Sequence, residues 1–134
     1  MLVSKIKDIV TNDQVQVIPI PGPSAVIAAL SASGMPTHEF TFLGFLPHKK
    51  GRETLFKEIA GSYRVIVFYE STHRILKTLA SLEKYCPTYN IMIARELTKQ
   101  FEQFVNGTPS EVLEYFMTNT EKQRGEFVVI VEPK

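Results

Sequence analysis

The sequence predicts an α/β domain with a mixed sheet covered by helices, and three observations predict it. Short apolar runs of strand length alternate with helical stretches along the whole chain. No repeat period or low-complexity segment interrupts that alternation. Arg64 to Tyr69, with Val65, Ile66, Val67 and Phe68, is almost continuously apolar, the pattern of a strand buried on both faces.

Leu2, Val3, Ile6, Ile9 and Val10 share one helical face, so the chain begins within an amphipathic helix that Asn12 and Asp13 break. Gln14 to Ile20 reads as a strand ending at the turn Pro21-Gly22-Pro23. Ser24 to Ser33 is rich in alanine and leucine and reads as a helix, with Pro23 in its first turn and Gly34 and Pro36 as its stop. Phe40 to Leu46 is a strand. The basic loop His48-Lys49-Lys50-Gly51-Arg52 leads into a helix bearing Leu55, Phe56 and Ile59 that stops near Gly61. After the Arg64–Tyr69 strand, Ser71 or Thr72 caps a helix with the stripe Ile75, Leu76, Leu79 and Leu82. Asn90 to Ala94 is a further strand, Phe101 to Val105 a short one, and Asn106-Gly107 a turn. Thr108-Pro109-Ser110-Glu111 is a capping box ahead of a helix with Val112, Leu113, Phe116 and Met117. Asn119 to Arg124 is a loop, and Phe127 to Val131 a last strand.

The chain has 134 residues, 44% hydrophobic and 22% charged, the size and composition of one folded domain, which argues against disorder or a fibrous role. No apolar run approaches the roughly 20 residues that span a bilayer. Lys5, Lys7 and Asp8 interrupt the first apolar stretch, so it is no signal peptide, and a cytoplasmic location is the expectation. Cys86 is the only cysteine, which excludes an internal disulfide and a cysteine-cluster zinc site. A net charge of +1 gives no overall field for a polyanion, so any nucleic acid must be recognised locally.

Three segments gather residues with chemistry. Pro19 to Ala25 sets small residues between a strand end and a helix start, where backbone can approach a ligand closely, but on spacing alone a tight strand-to-helix turn is the favoured account. Tyr69-Glu70-Ser71-Thr72-His73-Arg74 follows the most buried predicted strand, where ligands of open α/β sheets bind. The same segment is open to a plainer reading, a helix cap with a Glu70–Arg74 ion pair. Arg95-Glu96-Leu97-Thr98-Lys99 repeats that arrangement one strand later, so the two ends are expected to share a rim. Lys49, Lys50, Arg52, Arg74, Arg95 and Lys99 would give that rim local positive charge for phosphate, although a solvated surface explains each singly. The three histidines have no ligand spacing, so no metal is expected.

Taken in order, six stretches resemble the C-terminal half of the ribosomal small subunit methyltransferase I family, a branch of the tetrapyrrole methylase superfamily. They are Ile18-Pro19-Ile20-Pro21-Gly22-Pro23-Ser24-Ala25, Leu30 to Pro36, Gly44-Phe45-Leu46-Pro47, Phe68 to Arg74, Ala94 to Lys99, and Gly125-Glu126-Phe127-Val128. The resemblance implies one half of a two-domain α/β fold with S-adenosylmethionine in the cleft between the halves. It implies methyl transfer to the 2′-hydroxyl of a cytidine in 16S ribosomal RNA, with the small ribosomal subunit as partner and a homodimer as the assembly.

By analogy the cofactor contacts fall on Ser24, Ala25, Tyr69, Ala94, Arg95, Gly125 and Glu126. Glu70, Glu96 and Glu126 are the carboxylates to test for accepting the ribose proton, with Glu70 first because its strand end is the most buried. Lys49, Lys50, Arg52, Arg74 and Lys99 are the RNA-binding candidates. The family's first half has no counterpart in the chain. Residues 1–21 are therefore expected to be the tail of that unit with a linker strand, residues 22–134 the C-terminal domain, and the chain alone is expected to be inactive. Two alternatives stay open: a corrin or porphyrin carbon as methyl acceptor, and a non-catalytic module for RNA binding or dimerisation.

Overall fold

A computed structural model describes residues 18–134. The helix expected over Leu2–Val10 and the first part of the strand expected from Gln14 lie outside the described residues. Ile18 to Ile20, the remainder of that strand, has no strand pairing and is exposed. In chain order the elements are α1 (Ala25–Ser33), β1 (Phe40–Phe45), α2 (Arg52–Ala60), β2 (Val65–Ser71), α3 (Ile75–Tyr85), β3 (Asn90–Arg95), β4 (Gln103–Gly107), α4 (Pro109–Thr118), a 3₁₀ turn (Thr120–Gln123) and β5 (Glu126–Glu132).

The five strands form one sheet in the order β1-β2-β5-β3-β4. β1 and β2, joined through α2, are parallel. β5 is antiparallel to both β2 and β3, and β4 is antiparallel to β3. The expected mixed sheet covered by helices is thus the observed one.

The apolar runs of β2, β3 and β5 are continuous because both faces of the sheet are covered. Ile66, Phe68, Ile91, Ile93, Val129 and Val131 point to the face packed by α2, α3 and α4, where they meet Phe56, Ile75, Leu79 and Phe116. Val65, Val67, Met92, Ala94, Val128 and Ile130 point to the other face, where α1 supplies Val26, Ala29 and Leu30. Successive strand residues alternate between the faces, so one step along β2 carries a side chain from one core to the other.

Four local expectations are corrected. Pro23 lies outside α1, which begins at Ala25 after Ser24 in extended conformation. Ser71 and Thr72 do not cap α3: Ser71 still pairs with Glu126 in β2, and α3 starts after Arg74 with no side-chain cap. Asn106 and Gly107 are paired with Met92 and Ile91 rather than turning, because β4 leads straight into the α4 cap at Thr108. Phe101 stands before β4, which begins at Gln103.

β1 carries one irregularity that matters for the site. Phe42 pairs with Val67 but Phe45 pairs with Tyr69, so β1 uses one residue more than β2 over that interval. Gly44 absorbs the extra residue at φ 65°, a backbone conformation that side chains with a Cβ disfavour.

Candidate cofactor pocket at the strand ends

Because β5 runs against its neighbours, its first residues lie beside the last residues of β2 and β3. Tyr69 and Ala94 both pair with Val128, and Ser71 pairs with Glu126. A cavity of about 500 Å³ opens at this junction, within the roughly 300–1,000 Å³ of small-molecule sites. Ala25 at the start of α1 forms one side, with Tyr69, Ala94, Leu97 and Val128 around it. Gly125, Glu126 and the turn Ser71-Thr72-His73 complete the strand-end wall, and Phe45 stands at the lip.

The junction is held by paired hydrogen bonds. Thr72 Oγ1 donates to the Gly125 carbonyl at 2.9 Å and accepts from the Gly125 N–H at 3.0 Å. The Glu96 N–H donates to the Glu126 carbonyl at 2.9 Å, and the Glu126 N–H donates back to Glu96 Oε1 at 2.9 Å. Gly125 has φ 119°, and a Cβ built there would stand 2.8 Å from Glu96 Cγ and Oε1, so glycine is needed for both shape and space. Glu96 and Thr98 are themselves left-handed at φ 51° and 62°, uncommon for residues with a Cβ. They shape the loop that brings Leu97 to the wall.

Strand alternation sorts the sequence candidates. Tyr69, Ala94 and Glu126 fall on the α1 face, where the cavity is, whereas Glu70 and Arg95 fall on the opposite face. Ala25 and Gly125 also border the cavity. Ser24 is one residue short of the wall. Arg95 is 7% exposed and donates from Nε to the Arg124 carbonyl at 2.7 Å and from Nη1 to the Phe101 carbonyl at 3.2 Å. It clamps two loops instead of facing the cavity.

Glu70, ranked first among the carboxylates, has a side chain with no exposure. Oε1 pairs with Arg74 Nε at 2.7 Å and accepts the Ser71 N–H at 2.8 Å; Oε2 accepts from Thr78 Oγ1 at 2.6 Å. Arg52 Nη2 donates to that same Thr78 oxygen at 2.7 Å. Both carboxylate oxygens are thus occupied by partners within the fold, the ion pair of the plainer reading, although Glu70 also borders the cavity. Glu96 accepts from Lys99 Nζ at 3.0 Å as well as from Glu126. The Glu126 N–H, with Lys99 beside it, holds the Glu96 carboxyl below its ordinary pKa. Glu126 is 84% exposed at its side chain, with Lys99 at 2.8 Å from Oε2.

The basic candidates divide in the same way. Arg74 is spent on Glu70 and on the Leu46 carbonyl at 2.8 Å. Arg52 reaches Thr78 and the Pro47 carbonyl and lies 5.0 Å over the Phe56 ring, and burial lowers its pKa. Lys99 sits between Glu96 and Glu126, whose carboxylates raise its pKa. These three donate to the protein's own acceptors. Lys49 and Lys50 are exposed in the loop after β1.

From the sequence, Phe45 and Thr78 carry no site role, and Thr72 and Leu97 lie in candidate segments without a site role of their own. Gly44 inside an aromatic strand was the available signal for Phe45, since an isolated strand glycine marks a bulge. Thr72 and Gly125 lie 53 residues apart, and nothing local announces their bond. No described helix is long and apolar enough to cross a membrane.

A family model described as Tetrapyrrole (Corrin/Porphyrin) Methylases matches residues 2–113. The chain is 46% identical over 121 residues to a protein of Xylella fastidiosa named Ribosomal RNA small subunit methyltransferase I, covering 88% of this chain and 44% of that protein. It is 41% identical over 133 residues to the protein of the same name from Halalkalibacterium halodurans, covering 98% and 44%. The chain thus spans less than half the length of these curated relatives. Among solved structures, the methyltransferase CobJ superposes with a TM-score of 0.68 at 21% identity, over 98% of this chain and 57% of that one. A Thermus thermophilus uroporphyrin-III C-methyl transferase, complexed with S-adenyl homocysteine, superposes at 0.55 and 16% identity, over 84% and 51%. At these identities the structural likeness establishes the fold.

Proposed function

The chain belongs to the tetrapyrrole (corrin/porphyrin) methylase family, and from that premise we propose that it is part of an S-adenosylmethionine-dependent enzyme that methylates the ribose 2′-hydroxyl of a cytidine in 16S ribosomal RNA. The observation that carries the acceptor is the contrast in similarity. Relatives named for ribosomal RNA are 41–46% identical, whereas the corrin and porphyrin methyltransferases above are 16–21% identical.

The cavity suits such a cofactor in size and lining. Ala25, Ala94 and Gly125 leave backbone accessible to a close ligand, and Tyr69, Leu97 and Val128 offer apolar contact. When bound, the sulfonium supplies an activated methyl group, so the protein's work is alignment, exclusion of water and removal of one proton. Leu97 and Val128 line the cavity with apolar surface, which disfavours water there. Of the three candidate carboxylates, Glu126 is the one on the cavity face with a largely exposed side chain, and we assign it the proton released by the ribose hydroxyl. The small ribosomal subunit is the partner, in a cytoplasmic homodimer.

The test is methylation of small ribosomal subunits by the whole protein with labelled cofactor. Glu126→Gln is expected to lower turnover by about 10²-fold or more with cofactor binding retained; full turnover would remove the assignment. Absence of label in ribosomal RNA, with cofactor binding intact, would remove the acceptor. The 134-residue chain by itself is expected to bind S-adenosylmethionine weakly and to turn over poorly, and calorimetry giving micromolar affinity would overturn that expectation.

A further inference from the structure

We propose that Phe45 is a stacking platform for an unpaired RNA base at the mouth of the cavity, with Lys49 and Lys50 taking the adjoining phosphates; this rests on RNA being the acceptor. Phe45 is 63% exposed, an unfavourable place for an apolar ring unless something covers it. The extra residue at Gly44 returns Phe45 to the side of the sheet that carries Tyr69, so the exposure is built into the strand. The Phe45 and Tyr69 ring centroids are 5.4 Å apart with a 56° tilt, and Phe42 stands edge-on to Tyr69 at 5.0 Å, so Tyr69 backs both rings.

The backbone beneath the ring is anchored. Leu46 is 2% exposed, and its carbonyl is held by Arg74; the Pro47 carbonyl is held by Arg52 at 3.3 Å. Both arginines belong to the buried Glu70–Thr78 network, so the platform is fixed before any ligand arrives. His48, Lys49 and Lys50 follow, all exposed, and no carboxylate occurs from Phe40 to Arg52. An aromatic plane flanked by local cations matches a single-stranded nucleotide, whose base stacks and whose phosphate is anionic. A purely apolar protein partner would leave the lysines unanswered.

The experiment titrates the whole protein with a short single-stranded RNA carrying 2-aminopurine, whose fluorescence falls on stacking. Phe45→Leu is expected to weaken binding by about 5-fold to 150-fold and to abolish the quench. Phe45→Trp should restore both, and thermal melts confirm that the variants fold. Replacing Lys49 and Lys50 by alanine should keep the quench at saturation and flatten the dependence of log K on log salt by about 0.7 per lysine. Unchanged RNA affinity and quench in Phe45→Leu would overturn the platform while leaving RNA as acceptor. Lost affinity for S-adenosylmethionine in Phe45→Leu, with RNA binding intact, would overturn it by giving the ring to the cofactor. Failure of the unmodified whole protein to bind RNA would bring down the RNA reading and the platform together.

Discussion

Glu70 holds a charge that has left water, and everything around it answers that charge: Arg74 on one oxygen, Thr78 on the other, and the Ser71 amide beside them. Such a pair contributes little relative to an apolar substitute, but removing one member strands the other. Glu70→Gln is therefore expected to destabilise the fold by about 3 kcal/mol or more, read as a lower urea midpoint at unchanged slope. A loss below about 1 kcal/mol would mean that the arginines find other partners. Glu96 makes a prediction in pH. Its folded pKa is depressed by the Glu126 amide and by Lys99, so its stabilising contribution is complete above the ordinary glutamate range and is lost as pH falls through the depressed value. Lys99, raised by the same carboxylates, keeps its contribution until pH rises through its own elevated value. The protection factor of the Glu126 amide against hydrogen exchange should stay high throughout the ordinary glutamate range and fall only below it. A fall within that range would refute the clasp.

At the scale of elements, legibility followed the range of the interactions. The α4 cap was readable because its partners are neighbours: the Thr108 amide donates to Glu111 Oε2 at 2.8 Å, and the Glu111 amide returns a bond to Thr108 Oγ1. Thr108→Ala is expected to lower stability by about 1 kcal/mol, measured by chemical denaturation; no loss would show that Pro109 alone fixes that helix start. Asn106-Gly107 misled because that dipeptide usually reverses a hairpin, while here the chain passes directly from strand to helix. Ser71 and Thr72 misled because a hydroxyl before a helix resembles a cap. Their partners are instead β5 and its approach, far along the chain.

For the whole molecule, the sequence placed the candidate site at strand ends, and the cavity does open where β2, β3 and β5 meet. What it withheld was the face. Strands covered on both sides are apolar at every position, so nothing in their composition tells inward from outward. Tyr69 and Glu70, adjacent in sequence, consequently border different cores. The sheet order has one more consequence, for the time course of folding. β5 is the last of the five strands to be synthesised, yet it fills the slot between β2 and β3. A nascent chain that has reached only Gln123 can hold two separate strand pairs, β1 with β2 and β3 with β4, and has not yet made Gly125, Glu126 or Val128. Long-range closure of this kind is slow because the loop entropy is spent before the contacts form. The strand-end cavity is accordingly completed only when β5 is made, in the same event that joins the two halves of the sheet.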